Sequence, residues 1–274
     1  MTILSVEGVS KSYGIGGFFS ASRRKIVLSD IDLRIGEGEC VGLLGASGSG
    51  KSTLGRLVVG IERPDCGSVR YRGQPMLGLT GDDYRVFRRN VQVVFQDSIG
   101  AVNPRHRIRR IVAEPLVKLD RLSGRELDER VRGLLETVEI DPGEADKYPG
   151  QMSGGQLQRV CIARALAPKP ELIVLDEAVS NLDLSLQLAV LDLLDGLRRQ
   201  RGMAFLFITH DLRLVRRLCD RVVVLDGGRV VEERRVTAGL SFTHPAAVAL
   251  QNAVLPAMPA VHARVERIAE AAQA

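Results

Sequence analysis

A chain of 274 residues, 45% of them hydrophobic, is long enough for one large α/β domain with a lobe inserted in it. No stretch approaches the ~18 consecutive apolar residues of a membrane helix, and Met1-Thr2-Ile3-Leu4-Ser5-Val6-Glu7 lacks the charged leader and apolar run of a secretory signal. The net charge of +5 permits contact with anionic surfaces without singling out nucleic acid, and four scattered cysteines (Cys40, Cys66, Cys161, Cys219) with no C-x-x-C suit buried thiols in a reducing cytosol better than a disulfide frame or metal site.

From the N-terminus, Ile3 to Val6 and Ile26 to Ile35 read as strands, the second alternating Ile31, Leu33 and Ile35 with Asp30, Asp32 and Arg34. The Gly/Ser-rich stretch between them, Gly14 to Arg24, fits neither period and reads as a loop. Tyr13 stands at its entrance, where an aromatic ring either stacks on a nucleotide base or closes a strand end in the core. Val41-Gly42-Leu43-Leu44 is a short apolar run with the look of a buried strand. Directly after it, Gly45, Ala46, Ser47, Gly48, Ser49, Gly50, Lys51, Ser52 and Thr53 fit G-x-x-x-x-G-K-[ST], and Leu54 to Val59 opens a helix. Strand, glycine loop and helix together make a phosphate cradle. The glycines let successive N–H groups face one concavity, and the helix N-terminus adds partial positive charge. Lys51 would reach the β- and γ-phosphates of a nucleotide, and Ser52 would offer its hydroxyl to Mg²⁺.

Ser68 to Tyr71 and Val91 to Phe95 are further strand candidates. From Asp97 to about Gly150 prolines punctuate helical segments, Arg107 to Leu116 and Arg125 to Glu139. The second carries an amphipathic stripe of Leu127, Val131, Leu134, Leu135 and Val138, and the whole reads as a helical lobe inserted in the α/β core. Ser153-Gly154-Gly155-Gln156 then opens a helix, with Ser153 as N-cap and Leu157, Val160, Cys161 and Leu166 on its buried side. The N–H groups of Gly154 and Gly155 form a second anion site, which chain order alone does not bring near Lys51. Leu172-Ile173-Val174-Leu175 is a strand buried on both faces, ending in Asp176-Glu177 at the sheet edge where ligands of such folds bind. One carboxylate there can hold Mg²⁺ and the next can orient or deprotonate a water; an ordinary helix-start pair is the plainer alternative. A helix follows with Leu186, Val190, Leu193, Leu194 and Leu197 on one face. Ala204 to Ile208 is the next buried strand, and His210 just after it occupies the same edge as Asp176. Arg221 to Leu225 and Arg229 to Val231 form a hairpin across Asp226-Gly227-Gly228.

Six elements in this order, G-A-S-G-S-G-K-S-T, V-F-Q-D, M-S-G-G-Q-L-Q-R, L-I-V-L-D-E-A, S-N-L-D and I-T-H-D, resemble the ATP-binding-cassette ATPases over roughly residues 1–235. The resemblance implies a P-loop NTPase core of RecA type with an N-terminal antiparallel β subdomain and an inserted α-helical subdomain at about residues 97–160, followed by a short extension, 236–274. It also implies an ATP site completed by two ATPase subunits head to tail, so that Ser153, Gly154, Gly155 and Gln156 of one close over the γ-phosphate held by the other. Asp176 matches the Mg²⁺ carboxylate, alongside Ser52 and Gln96, and Glu177 matches the catalytic carboxylate. His210 matches the γ-phosphate switch, Ser180, Asn181, Leu182 and Asp183 the dimer-seam loop, and Tyr13 the base-stacking aromatic. Met152 in place of the usual Leu, and Ala178-Val179 in place of Pro-Thr, remove no chemical group.

Gln96-Asp97-Ser98-Ile99-Gly100-Ala101-Val102-Asn103-Pro104-Arg105 is similar to the corresponding run of peptide and nickel importer ATPases. The Gly16-Gly17-Phe18 insertion, the Glu177 to Asp183 run and the cysteine-free tail Leu250 to Ala257 resemble the nickel-import branch. The expectation is an ATP- and Mg²⁺-dependent ATPase at the cytoplasmic face of the membrane. Its partners would be a second, non-identical ATPase subunit, two transmembrane permease subunits and, indirectly, an external solute-binding protein, with nickel as cargo and no nucleic acid. A dipeptide or oligopeptide importer is the near alternative; a soluble, non-transport ATPase of the family is the remote one.

Overall fold

The computed structural model describes residues 1–15, 23–180 and 182–253. Gly16-Gly17-Phe18, Asn181 and the tail from 254 onward lie outside the described residues. Two sheets organise the chain. In the first, β1 (Thr2–Ile15), β2 (Arg23–Gly36), β4 (Cys66–Tyr71) and the short β5 (Gln74–Pro75) run in the order β2-β1-β4-β5 with antiparallel pairing. β1 reaches well past Val6, because its ladder to β2 continues through register shifts between Val6 and Lys11. The polar run Ser10-Lys11-Ser12 hides this continuation from any hydrophobic period.

The second sheet has the order β10-β9-β3-β8-β7-β6, built from β3 (Cys40–Leu44), β6 (Val91–Val94), β7 (Leu172–Asp176), β8 (Ala204–Thr209), β9 (Arg221–Asp226) and β10 (Arg229–Arg235). β9, β3, β8, β7 and β6 are parallel, and β10 folds back antiparallel on β9. Side chains alternate strictly across it. Val41, Leu43, Leu172, Val174, Leu206, Ile208, Val223 and Leu225 face a core shared with the first sheet and α1 (Lys51–Val58). Cys40, Leu44, Ile173, Leu175, Phe205, Phe207, Val222 and Val224 face the opposite core, shared with α3 (Ile108–Leu119), α4 (Gly124–Thr137), α5 (Gly154–Leu166), α6 (Leu184–Arg201) and α7 (Leu212–Leu218). A parallel sheet covered on both faces reads as continuous apolar runs for this reason.

Helices α2 (Gly81–Asn90), α7 and α8 (Pro245–Asn252) carry no clear sequence signal. α2 buries Phe87 alone, too little for a stripe, and α7 spans only two turns. The cysteine expectation holds for Cys40, Cys161 and Cys219, which are buried free thiols, and needs correction at Cys66, which is exposed. Cys40 and Cys219, far apart in the chain, meet with their sulfurs 3.5 Å apart. Strand β3 and the end of α7 bring them together. No helix among the described residues is long and apolar enough to cross a membrane.

Candidate nucleotide site

The parallel strands deliver their C-terminal ends to one edge, and the candidate residues follow from that. β3 ends at Leu44 and feeds the glycine loop; its neighbour β8 ends at Thr209 with His210 next; β7 ends at Asp176 with Glu177 next; β6 ends at Val94, two residues before Gln96. Pairing sets the level, with Leu44 beside Thr209, Asp176 beside Ile208, and Val94 beside Leu175.

Within the loop, Gly48 (φ 79°) and Gly50 (φ 107°) take left-handed backbone that side chains resist. A Cβ on Gly45 would stand 2.4 Å from the Leu225 carbonyl oxygen and 2.6 Å from Ser49 Oγ. Glycine at 45 is therefore a requirement of packing against the end of β9. Helix α1 begins at Lys51, with no side-chain cap and no acidic residue in its first turn, which leaves its N-terminal N–H groups available to an anion. Ser49 Oγ is buried with no hydrogen-bond partner among the described residues. The buried Lys51 ammonium donates to the carbonyls of Gly45 and Ala46, each at 2.9 Å. Burial pulls the Lys51 pKa down, opposed by the Glu177 and Asp176 carboxylates. These features fit a phosphate chain: a donor-lined cradle, an orphaned hydroxyl and a cation folded back on the loop.

Ser52 Oγ donates to Asp176 Oδ1 at 3.0 Å, joining the loop to the end of β7. Asp176 is buried, and desolvation raises its pKa, with the Ser52 hydrogen bond working the other way. A buried carboxylate and a hydroxyl held together are an oxygen donor set suited to Mg²⁺. Glu177 adopts φ 48°, unusual for a non-glycine residue, while its N–H donates to the Ile208 carbonyl at 3.0 Å. Its Oε1 lies 3.4 Å from His210 Nδ1. Ser180 buttresses the turn, its hydroxyl donating to the Glu177 carbonyl at 2.8 Å. Asp183 caps α6, accepting from the Leu186 N–H at 2.9 Å and from Ser185 Oγ at 2.6 Å.

Ser153 and Gln156 form a reciprocal capping box on α5, Ser153 N–H donating to Gln156 Oε1 and Gln156 N–H to Ser153 Oγ. A Cβ on Gly155 would meet Leu186 Cδ2 at 2.6 Å, so this helix end is seated against the start of α6. α5 packs on α3, α4 and β6, whereas α1 packs on β2, β7 and β8. The N-terminal ends of α1 and α5 thus belong to helices packed in different cores. Gln96 is exposed. Tyr13 is held by its hydroxyl, which donates to Glu62; Glu62 also pairs with Arg56 Nε at 2.8 Å, and Arg56 reaches Thr53 Oγ1 at 3.5 Å. Sequence reasoning missed this chain of contacts, as it missed the Leu225 carbonyl against Gly45. Both arise from long-range pairings that leave no local pattern.

Glycine loop, buried carboxylate and edge histidine on a parallel sheet define a P-loop nucleotide-binding ATPase. The family model described as ABC transporter matches residues 28–180, and the chain belongs to that family. It is similar to the "Nickel import ATP-binding protein NikE" of Rhodospirillum rubrum, with 57% identity over 94% of this chain and 93% of the relative. The protein of the same name from Escherichia coli is 50% identical over 98% of this chain and 100% of its own length. Among solved structures, the dimeric post-hydrolysis state of the ATP-binding cassette MJ0796 bound to ADP and Pi superposes with a TM-score of 0.78 at 31% identity, over 86% of this chain and 100% of that one. The cbiO1 structure from Clostridium perfringens, described as part of the ABC transporter complex cbiONQ, gives 0.71 at 28% identity, over 85% and 88%.

Proposed function

We infer that the chain is the ATP-hydrolysing subunit of a nickel importer, working at the cytoplasmic face of the membrane with a sibling ATPase, two permease subunits and an external solute-binding protein. The observation that carries the reading is the edge constellation of Lys51, Ser52, Asp176, Glu177 and His210, found in a chain alike over almost its whole length to proteins named for nickel import.

In this reading the N–H groups of residues 45–53 and the Lys51 ammonium hold the phosphates. Ser52 and Asp176, with Gln96, would hold Mg²⁺, which when bound would supply positive charge to offset the negative charge developing on the phosphates. Glu177 orients the attacking water and takes its proton, and His210, beside it, faces the γ-phosphate. Tyr13 stacks on the base. The partner supplies its own copy of the Ser153-Gly154-Gly155-Gln156 helix end, and Ser180, Asn181, Leu182 and Asp183 line the seam. Leu184, 67% exposed at the start of α6, is an apolar side chain suited to burial at that seam. Residues 97–160 act as the arm that swings, with residues 1–235 as the ATPase unit and 236–274 as an extension. The exposed Ile99, three residues beyond Gln96, offers the permease an apolar contact.

Uptake of nickel and of dipeptides by cells lacking the chain, complemented with wild type or Lys51→Ala, tests this. Wild type should restore nickel uptake and the variant should not. Restoration of peptide uptake alone would replace the cargo, and full activity of Lys51→Ala would overturn the site.

A further inference from the structure

Gln158 is buried and polar, and nothing in the hydrolytic site uses it. It lies on α5, one turn beyond the Ser153–Gln156 cap, and its Nε2 donates to the Phe95 carbonyl at 3.3 Å. Two further residues on the same helix face repeat the pattern. The Cys161 thiol approaches the Ser98 carbonyl at 3.8 Å, and Arg164 Nη1 donates to the Ala101 carbonyl at 2.7 Å. Donors at 158, 161 and 164 thus meet acceptors at 95, 98 and 101, a spacing of three on both sides. Residues three apart share a helix face, so three rungs span roughly 9 Å of axis at 1.5 Å per residue.

The acceptor side is itself folded to present those carbonyls. Asp97 Oδ1 accepts from the Gly100 N–H at 2.9 Å, and the Ala101 N–H donates to the Asp97 carbonyl at 3.1 Å. A Cβ on Gly100 would sit 2.4 Å from Asp97 Oδ2, so this turn admits no side chain without moving the carboxylate. Ser98 and Val102 point inward and are buried, while Ile99 stands 69% exposed on the outer side. The segment beginning at Gln96 is therefore a small folded block, strapped along its inner side to the helix whose N-terminus is Ser153–Gln156.

We propose that Gln158 and Arg164 are positioning residues that lock the Gln96–Ala101 block to α5, so that a push on the exposed Ile99 face is delivered to the Ser153–Gly155 helix end. This rests on the transport reading above. Neither residue touches nucleotide in it. A buried amide donor and a charged donor are what such a lock needs, because a carbonyl left without its partner in a part-buried contact costs more than a solvated one. Cys161 contributes a weak rung and is the least important of the three.

The experiment compares wild type, Gln158→Leu, Arg164→Met and Arg164→Lys as full chains, alone and assembled with the sibling ATPase and the permease subunits. For Gln158→Leu and Arg164→Met the chain alone should keep its basal ATPase rate and its KM for ATP within about twofold, while stimulation by the permease falls about tenfold, the scale of one lost charged hydrogen bond. Arg164→Lys, which keeps a cationic donor, should recover at least half of the stimulation. Amide exchange of residues 96–104 in the chain alone should rise about tenfold in Gln158→Leu and Arg164→Met. Full stimulation in both variants, or equal loss of basal and stimulated rates, would overturn the proposal, as would unchanged amide exchange. If the wild-type chain itself gains nothing from the permease, the transport reading falls, and the exchange measurement still judges the strap on its own.

Discussion

Glu177 sits in left-handed backbone with its N–H on β8, its carbonyl held by Ser180 and its carboxylate beside His210. Two of these contacts fix the backbone of Glu177 and the third sets its carboxylate beside the His210 ring, where the proposed function needs a group to align a water. Glu177→Gln keeps the shape and removes the base that the proposed function assigns to this residue. ATP turnover should fall about 10²–10³-fold with nucleotide affinity retained; single-turnover assays beside equilibrium binding check both halves. Gly45→Ala acts by shape alone. The new methyl meets a backbone oxygen at 2.4 Å, which cannot rotate away. A cost of about 1–3 kcal/mol is expected, read as a lower melting temperature together with weaker nucleotide binding. The glycines, Lys51, Ser52 and the carboxylates were legible in the sequence, because phosphate chemistry demands those residue types at that spacing. The Tyr13–Glu62–Arg56 chain was not: its members lie on separate elements, and nothing local in Glu62 distinguishes it from a solvated acid.

Among the elements, α8 shows how an unpatterned tail segment is pinned. Glu232 on β10 accepts from the N–H groups of Thr243 and His244 and from the Thr243 hydroxyl, and pairs with Arg234. Burial of this carboxyl is outweighed by those hydrogen bonds, and its pKa lies below the ordinary value. The sign follows: the stabilisation is complete above the unfolded pKa of about 4.3 and is lost as pH falls through the lower folded value. Glu232→Gln should cost about 1–3 kcal/mol near neutral pH, and the gap from wild type should close on acidification, as thermal unfolding from pH 7 to 3 would reveal. Buried parallel strands and the amphipathic α4 were readable from period and run length. β1 beyond Val6, α2, α7 and α8 were not, since their order comes from pairing and docking to distant residues and not from their own alternation.

For the whole molecule, the decisive fact is that the loop around Lys51 and the cap around Ser153 belong to separate packing units. On the function proposed above, a lone chain would present two half-sites. With ATP, Glu177→Gln protein mixed with its sibling ATPase should double in mass by light scattering. Ser153→Arg in one chain should block that association without weakening the nucleotide bound by its own glycine loop. Monomers alone, at saturating nucleotide and with every candidate sibling, would sink the two-subunit reading.

The strict alternation of side chains across the six-stranded sheet has a consequence for how such a protein changes over generations. Neighbouring positions on one strand answer to different cores: Val174 to the one shared with α1, Leu175 to the one shared with α3, α4 and α5. A substitution that reshapes one core can therefore fall one residue away from a position that belongs wholly to the other.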